Sequence, residues 1–443
     1  MAVDKRVIEA LRGELDGEVV RRIGQASAAI VAAKEKGGKV VVVTGSGPNL
    51  HEGVTTLLAE LIHKGIVDGV ITSSAVVAHE MAGALERVHR VSGEALGLDA
   101  ATLPMDGMFE VSLLPADWLE IIESEMPVDR ALMAQALATD GSDIIKAAGN
   151  LAYPLGLRTE RLAREAEALA KSVGAPLEEI AGAGADSHTM IGAGYARGAP
   201  VLVSTPQLVG GGAVGLAIGD SIPITSRAAR IAALLAAAEV IIESAVVMTQ
   251  EIHDGPFETY TGHGLWAQWD GFAAFSLAGK RLIRIDLDAN LERVWQLERD
   301  SGAVADAIAR GLPKTKVTGI PFRMEMSGFA RLPGSLPIVG DIGAVWPILA
   351  HDAAQRLGVE LDFMSYPQRT QAGVEMREWI VEHVQPVDRA AMRSCATATQ
   401  SAGGCGRAAA QAPGRRLADA RASGTSRAHA GGATASGRRR RAH

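Results

Sequence analysis

The feature that most constrains the fold of this chain is a short apolar run that ends in a glycine-rich turn. Residues 39–43 read KVVVV, which is apolar on both faces, as in a strand buried inside a parallel sheet. The run enters TGSGPNLHEG at residues 44–53, which opens a helix that extends to about Lys64. A second strand, VDGVITSS at residues 67–74, precedes AVVAHEMAGALERV at residues 75–88, which is predicted as a helix. This alternation predicts an α/β fold with a doubly wound, Rossmann-like parallel sheet.

The rest of the chain divides into an N-terminal helical segment, one large α/β domain and a tail. The helical segment is predicted over residues 1–38, with one amphipathic helix at 5–36 that two glycines terminate. The α/β domain follows over residues 39–385, with a helix-rich middle section at about 100–180 and a closing helix at about 372–384. Strands and helices alternate again beyond the middle section, at strands 200–204, 239–244 and 280–288, helix 226–238, and the strand-to-helix passage 336–357.

The C-terminal residues 386–443 are predicted to be a disordered basic tail. From Arg389 onward the chain has eleven arginines, no lysine and one acid, so this part carries a charge of +10 and the remainder a charge of −17. The tail is rich in Ala, Gly and Ser without apolar periodicity, so it cannot bury enough apolar surface to fold. It is either a disordered extension, which we favour, or an arm that contacts nucleic acid or anionic surfaces. The acidic body makes nucleic acid an improbable main partner.

Cysteine usage and hydropathy indicate the cellular setting. The only cysteines are Cys395 and Cys405, so neither a disulfide framework nor a cysteine metal site is available to the core. The longest apolar stretch, IAALLAAAEVII from Ile231, is too short to span a bilayer and is interrupted by Glu239. We therefore expect a cytoplasmic protein without a membrane segment.

The residues that directly follow each predicted strand are the candidates for ligand binding, because open α/β sheets bind ligands beyond the carboxyl ends of their strands. Glycines after the first strand let backbone N–H groups approach a pyrophosphate, although a plain tight turn would look the same. Hydroxyls after the second strand contact a ligand or cap the next helix. The later triple glycine is a mobile loop or a close backbone approach to a ligand, and the two acids that end the strand at 280–288 bind a ribose or form a surface turn. These candidates are Gly45, Ser46, Gly47, Thr72, Ser73, Ser74, Gly210, Gly211, Gly212, Asp286 and Asp288.

Residues 36–85 resemble the NAD-binding region of the archaeal-type, NAD-dependent ornithine cyclodeaminases, and the order of similar segments agrees from about residue 36 to residue 350. That family has a GGP-x-x-x-H-T-G turn after its first strand, and residues 45–53 match this turn with His51 retained. Its GNALA-x-HDIE segment is similar to residues 73–80, where the histidine is His79 and the glutamate is also retained. The chain departs from the family in two places: the histidine-rich GH-x-HHLRAIN segment is missing, and an Asp-Asp-Gly after the third strand has become three glycines.

The same stretch also resembles deoxyhypusine synthase, a relative in fold that binds NAD between subunits. Its SNLISSG loop is similar to the residues from Pro48 onward, its TAQ-x-FDGS segment to residues 267–271, and its YADAS-x-VFPLL end to residues 339–349. Deoxyhypusine synthase carries an aminobutyl group on a lysine of a W-G-K motif. The corresponding residues 327–330 read SGFA and contain no lysine, which argues against transfer by that route.

Both resemblances imply NAD as the cofactor and a homo-oligomer, dimeric or tetrameric, and neither implies a metal. They also imply a reaction class in which NAD⁺ takes a hydride from an amine-bearing carbon and leaves an imine. We therefore expect a lyase of the ornithine cyclodeaminase type that releases ammonia from a small amino acid or polyamine. The alternatives are an aminobutyl transferase of the same fold and a non-catalytic dinucleotide-binding regulatory protein. The resemblances add Asn49 and His51 to the cofactor contacts, and the catalytic candidates at strand ends are His79, Asp220, His253, Asp270 and Asp341.

Overall fold

The main sheet of the protein has six parallel strands. The structure is a computed structural model that describes residues 3–45, 47–104, 106–245, 277–312, 319–320 and 333–401. Numbered along the chain, the strands of this sheet in the described residues are β1 (Lys39–Thr44), β2 (Gly69–Thr72), β6 (Val201–Val203), β7 (Ala238–Ser244), β8 (Arg281–Asp286) and β9 (Ser335–Val339). They are arranged in the order β6-β2-β1-β7-β8-β9, and each neighbouring pair is parallel. Counted within the sheet, this is the order 3-2-1-4-5-6 of doubly wound dinucleotide-binding folds, so the predicted fold class is confirmed.

Both faces of the main sheet are covered, as the valine-rich central strand requires. Val40 and Val42 contribute to one apolar core, while Val41 and Val43 contribute to a second core on the opposite face. The first face packs against the helices α2 (Gly17–Glu35) and α15 (Ile342–Leu357), and the second face against α12 (Ile224–Ala237). These helices belong to a larger set: α1 (Lys5–Glu14), α3 (Gly47–His51), α4 (Val54–His63), α5 (Ser74–Met81), α6 (Ala116–Glu125), α7 (Arg130–Ala138), α8 (Leu155–Val173), α9 (Leu177–Gly184), α10 (Met190–Arg197), α11 (Gly212–Ser221), α13 (Ala289–Ser301), α14 (Ala303–Ala309), α16 (Gln371–His383) and α17 (Arg389–Ser401). No helix in the described part of the chain has both the length and the apolar composition that crossing a bilayer requires.

The N-terminal segment forms two helices instead of the single helix predicted over residues 5–36. The break falls at Leu15, whose backbone is extended, and at Asp16, whose carboxylate accepts a hydrogen bond from the N–H of Glu18. An aspartate in this position satisfies one of the free N–H groups at a helix start, so it begins a new helix rather than continuing the old one.

A second, three-stranded antiparallel sheet lies between β2 and β6 in the chain, and its strands were not predicted. It consists of β3 (Leu85–Ser92), β4 (Met108–Ser112) and β5 (Gly141–Ala147) in the order β4-β3-β5. The predicted helix over residues 75–88 was therefore too long. The helix α5 ends at Met81 because Gly83, with φ of +99°, and Ala84, with φ of +65°, turn the chain into β3. The middle section does contain the expected helices, but they pack around this sheet.

The predicted disordered tail begins too early at residue 386. Residues 389–401 form α17, in which Met392 and Ala396 are buried against the body of the protein. Both Arg389 and Arg393 form ion pairs with Glu165 on α8. Sequence periodicity did not indicate this helix because its apolar face consists mainly of alanine and a single methionine. Residues 402–443, with most of the arginines, lie outside the described residues.

Candidate functional site

The carboxyl ends of β1 and β7 lie side by side at the point where the strand order reverses. Thr44 and Ser244, the last residues of these strands, are neighbours in the register of the sheet. Beyond them, β2 continues the sheet on the side of β1, and β8 continues it on the side of β7. Doubly wound sheets bind their ligands in the crevice at this reversal. The candidate site therefore consists of the described residues that follow β1, β2 and β8 at this edge.

The first of these loops, residues 45–53, leaves space beside its central glycine. It contains the short helix α3, which begins at Gly47, whereas Ser46 lies outside the described residues. A Cβ atom added at Gly47 would meet no described atom closer than the 3.9 Å to His51 Cδ2. The far end of the loop is held differently, because a Cβ on Gly53 would overlap the thioether of Met376 on α16. The loop is thus fixed at its end and open at Gly47.

A buried hydrogen-bond chain fixes the same loop across the crevice. The indole N–H of Trp346 donates to Ser244 Oγ at 2.7 Å, and Ser244 Oγ donates to Asn49 Oδ1 at 2.7 Å. All three residues are buried. Because an indole nitrogen only donates, the Ser244 hydroxyl must direct its own hydrogen to the amide oxygen, and this fixes the orientation of the Asn49 side chain.

The two serines that follow β2 have structural partners. Ser73 caps α5, with Oγ accepting from a backbone N–H of the first turn at 3.2 Å. Ser74 Oγ donates to the carbonyl of Gln207 at 2.6 Å. The capping alternative that the sequence left open therefore describes Ser73, and Ser74 joins the loop after β2 to the loop after β6.

The two threonines that end β1 and β2 differ from these serines. Thr44 and Thr72 are fully buried, and neither hydroxyl has a hydrogen-bond partner among the described residues. The register places them on adjacent strands, one step beyond the pair Val43 and Ile71. A buried hydroxyl without a partner costs about 1–3 kcal/mol, so these two hydroxyls are candidates for a polar contact with a ligand.

The triple glycine after β6 packs against the chain itself. The crowded position is Gly211, where a Cβ would lie 2.7 Å from the carbonyl carbon and oxygen of Ser74, whereas a Cβ on Gly210 would have the Ser74 hydroxyl as its nearest atom, at 3.9 Å. Gly212, with φ of +59°, begins α11. The backbone at Gly211 thus approaches the start of α5 closely, which is neither of the two alternatives that the sequence left open. The predicted contact of these glycines with a cofactor stays a prediction.

Two histidines of the predicted site share one charged environment. His51 Nδ1 lies 3.5 Å from Nη2 of Arg377, and His79 Nδ1 lies 2.8 Å from the carbonyl oxygen of Ala148. Burial lowers the pKa of His51, and the charges of Arg377 and Lys146 lower it further. Burial also lowers the pKa of His79. The charge of Lys146 lowers this pKa further, whereas the hydrogen bond to the Ala148 carbonyl raises it. Both imidazoles are therefore neutral at neutral pH and available as proton acceptors.

The sequence did not identify the two cations beside these histidines. Lys146 lies on β5, where its ammonium group donates to the carboxylate of Glu110 and to the carbonyl of Asn150. Arg377 lies on α16 and donates to the carbonyl of Ile145. Both come from elements outside the six-stranded sheet, so strand-end reasoning could not find them. The only available signal was the single arginine on the buried side of the predicted closing helix.

Asp341 lies at the same edge of the sheet, beside a second carboxylate. It caps α15, with Oδ1 accepting from the N–H of Gly343 at 3.0 Å. Glu52 of the first loop lies against this helix start, since a Cβ on Gly343 would be 2.5 Å from Glu52 Oε2. Burial raises the pKa of Glu52, and the nearby Asp341 carboxylate raises it further. Glu52 also accepts from the N–H of Gln368 at 2.7 Å, which ties the loop to the segment before α16.

The two acids that follow β8 are engaged in local contacts. Asp286 Oδ1 accepts from the N–H of Asp288 at 3.0 Å, and Asp288 caps α13. The other oxygen of Asp286 lies 3.7 Å from the buried guanidinium group of Arg284, which also pairs with Glu243 at 3.4 Å. Both acids belong to the half of the sheet beyond β7. Their predicted contact with a ribose stays a prediction.

Three of the five predicted catalytic residues are separated from this edge or are not described. Asp220, at the end of α11, lines an open groove of about 530 Å³ together with Lys171 and Arg230. No hydrogen bond or ion pair among the described residues joins it to the histidines. His253 and Asp270 lie outside the described residues. Within the described part of the chain, no group of three His, Cys, Asp or Glu side chains is arranged to hold a metal ion.

Comparisons with known proteins give only distant structural likenesses. No protein-family model matches the chain, and no curated protein matches it. Among solved structures, the ternary complex of AgrE with ornithine and NAD⁺ is similar at 13% identity with a TM-score of 0.35, covering 81% of this chain and 34% of that chain. The apo structure of ArgZ, an arginine dihydrolase from the ornithine–ammonia cycle in cyanobacteria, aligns at 12% identity and a TM-score of 0.34, over 80% of this chain and 34% of that chain. A conserved LOR/SDH protein from Methanococcus maripaludis S2 aligns at 11% identity and a TM-score of 0.34, over 78% of this chain and 70% of that chain. The chain thus spans about a third of the length of the first two proteins, and the fold assignment rests on its own strand order.

Proposed function

We propose that the protein is an NAD-dependent enzyme that transiently oxidises an amine-bearing carbon of a small amino acid or polyamine. The observation that carries the proposal is a glycine loop at the reversal point of a 3-2-1-4-5-6 sheet, with two neutral imidazoles beside it. The loop supplies backbone N–H groups for a dinucleotide, and the imidazoles supply bases for a proton on nitrogen.

The residues at the crevice fit a dinucleotide. The open space beside Gly47 permits a phosphate to approach the backbone, and the unpaired hydroxyls of Thr44 and Thr72 offer two buried polar contacts. The hydrogen-bond chain through Ser244 holds Asn49 in one orientation, so the loop is organised before a ligand binds. Such preorganisation reduces the entropy that binding must overcome. When bound, NAD⁺ would supply the hydride acceptor.

The residue that we assign as the base is His79. A carbonyl oxygen only accepts, so the contact with Ala148 requires a hydrogen on Nδ1 and leaves the lone pair on Nε2. The lowered pKa of His79 keeps Nε2 unprotonated near neutral pH. In the proposed reaction Nε2 takes a proton from the substrate ammonium, because an amine carbon gives up hydride only when its nitrogen carries a lone pair. His51 is the nearest second base, and the carboxylates of Asp341 and Glu52 are available to a second cationic group of the substrate.

The aminobutyl-transfer alternative has one specific observation in its favour, namely a lysine near the two histidines. The ammonium group of Lys146 is engaged with Glu110 and with Asn150, which opposes its use as a free amine. Borohydride trapping with spermidine and NAD⁺ tests this directly, since reduction would fix an enzyme imine as a mass increase on one lysine peptide. We expect no adduct. An adduct on Lys146, Lys314 or Lys316 would make transfer the better assignment.

The direct test of the proposal has a binding step and a turnover step. We expect mass spectrometry of the supernatant from denatured protein, or calorimetry with added NAD⁺, to show dinucleotide binding. We then expect ammonia release from ornithine or another amino acid, measured with His79→Gln and with the control His63→Gln at the C-terminal end of α4. His79→Gln should keep NAD⁺ affinity and lose about 100-fold or more in turnover, as removal of a general base does. Absence of NAD⁺ binding by the unmodified protein would refute the proposal.

A further inference from the structure

The peptide group between Ala148 and Gly149 makes hydrogen bonds on both of its sides. Its carbonyl oxygen, on Ala148, lies 2.8 Å from His79 Nδ1. Its N–H, on Gly149, donates to Glu86 Oε1 at 2.6 Å. The carboxylate of Glu86 and the ring of His79 are therefore connected through a single amide plane. This path from Glu86 Oε1 through the peptide group to His79 Nδ1 consists of two direct hydrogen bonds and includes no water molecule.

We propose that Glu86 is a positioning residue for His79, acting through the Ala148–Gly149 peptide. A negative charge at Oε1 pulls on the Gly149 N–H and increases the electron density on the Ala148 oxygen, since hydrogen bonds in a chain polarise one another. The oxygen then holds the Nδ1 hydrogen of His79 more tightly. This fixes the tautomer in which Nε2 carries the lone pair, and it stabilises the imidazolium that forms when Nε2 accepts a proton. The proposal rests on the role of His79 in the proposed function.

The surroundings of Glu86 support a role beyond packing. It lies on β3 and is only 5% exposed. Burial raises the pKa of Glu86 to about 7, opposed by Ser112, the Gly149 N–H and Lys146. Burying a carboxyl group inside a strand costs free energy of folding, and an apolar residue of the same volume would cost less. A buried glutamate at this position therefore favours a role beyond packing.

Three other charged or titratable groups face this path, and they set its pH dependence. Lys146 lies opposite Glu86 in the register of β3 and β5, and it lowers the pKa of both Glu86 and His79. Glu110, on β4, raises the pKa of Glu86. His51, from the first loop, is the remaining titratable neighbour of His79. If the peptide links Glu86 to His79, a change in the charge of one group must also appear in the titration of the other.

The chain contains a matched control in Glu80, the residue next to His79 on α5. Glu80 is fully buried, burial raises its pKa to about 7, and its two oxygens accept from the N–H groups of Met190 and Ile191. It thus matches Glu86 in residue type, in burial and in the direction of its pKa shift, although it accepts two backbone hydrogen bonds where Glu86 accepts one. The two glutamates differ in what their carboxylates contact. The carboxylate of Glu80 caps α10 and is not connected to the His79 ring.

The experiment is a nitrogen-15 NMR titration of the full chain without cofactor, with His79→Gln used to assign the ring signals. In the unmodified protein we expect the Nδ1–H tautomer, and we expect the Gly149 amide proton and the His79 ring nitrogens to share one inflection. Glu86→Gln keeps an acceptor for Gly149 but removes the charge, so the His79 midpoint should fall by about 0.5 pH unit or more. Glu80→Gln should leave the His79 midpoint and the Gly149 amide unchanged.

Each outcome decides the proposal separately from the proposed function. A His79 midpoint that is the same in Glu86→Gln and in the unmodified protein would overturn it. If that variant does not fold, the unmodified protein still decides, because separate inflections for Gly149 and His79 would exclude the path. Where turnover is measurable, Glu86→Gln should lower kcat at unchanged KM and move the acid limb of the pH–rate profile down with the His79 midpoint. Failure of NAD⁺ binding would refute the proposed function and leave the NMR result standing.

Discussion

Two glycine-rich loops border the carboxyl edge of the main sheet, and an added carbon atom would meet different surroundings in each. At Gly47, the nearest described atom to a Cβ would be 3.9 Å away, whereas at Gly211 the backbone of Ser74 would lie 2.7 Å away. The sequence presents both as places where the backbone approaches a ligand. The comparison shows that a glycine indicates a close approach without identifying what approaches. Of these two glycines, only Gly47 leaves room for a ligand beside its backbone.

The most severe test of this difference is Gly211→Val. Its Cβ would overlap the carbonyl of Ser74 and force the loop after β6 away from α5. We expect a loss of about 3 kcal/mol in the free energy of unfolding, as overpacking at a backbone contact produces. Chemical denaturation measures this loss. A stability equal to that of the unmodified protein would mean that this loop does not rest on Ser74.

Gly47→Val, the same substitution in the other loop, should affect binding instead of folding. The new side chain would enter the open space beside the loop, where a pyrophosphate is expected to approach the backbone. We expect NAD⁺ affinity to fall by about 30-fold, or about 2 kcal/mol, with little change in the melting temperature. Calorimetry gives the NAD⁺ affinity of each valine variant, and thermal unfolding gives its melting temperature. Equal NAD⁺ affinity in Gly47→Val and the unmodified protein would show that the dinucleotide is assigned to the wrong loop.

Ser244→Ala tests the buried hydrogen-bond chain that joins Trp346, Ser244 and Asn49 and holds the first loop. This change removes the hydroxyl that accepts from the buried Trp346 N–H at 2.7 Å. Because a buried donor would then lack its acceptor, we expect a loss of about 1.5 kcal/mol in the free energy of unfolding. Ser244→Thr retains a hydroxyl and should recover most of the loss. If both variants unfold at the same denaturant concentration as the unmodified protein, the hydrogen-bond chain does not stabilise the loop.

The main sheet could be predicted from the sequence because its strands are continuous apolar runs with glycines at their ends. The run at β1 is apolar where both faces of the sheet are covered, and that pattern does not occur in surface helices. The order of the strands could not be read in this way. It follows from which helices pack on which face, and these contacts join residues far apart in the chain, such as those of α2 and β9.

The second sheet and half of the candidate site were missed for a related reason. The strand β3 reads LERVHRVS, with buried residues at Leu85, Val88 and Val91, and this spacing of three imitates the face of a helix. Without that sheet, Lys146 and Glu86 had no reason to lie near His79. Polar residues at strand ends were found because topology alone brings them together, whereas residues from other elements were not.

The smallest expected effect is that of removing an unpaired hydroxyl from the crevice. This change tests both the stability of the protein and its affinity for NAD⁺. Thr44→Val replaces the buried hydroxyl at the end of β1 by a methyl group of the same shape. Without cofactor the variant should be more stable by about 1 kcal/mol, because no buried polar group is left without a partner. With NAD⁺ the effect of the substitution should be unfavourable, because the hydroxyl then has a partner to lose. We expect NAD⁺ to bind several-fold more weakly.

The control is Ser27→Ala on α2, which removes another buried hydroxyl without a partner among the described residues, away from the strand ends. It should show the gain in stability alone. A loss of NAD⁺ affinity in both variants, or in neither, would separate Thr44 from the dinucleotide and leave Gly47 as the main indicator of where the ligand binds.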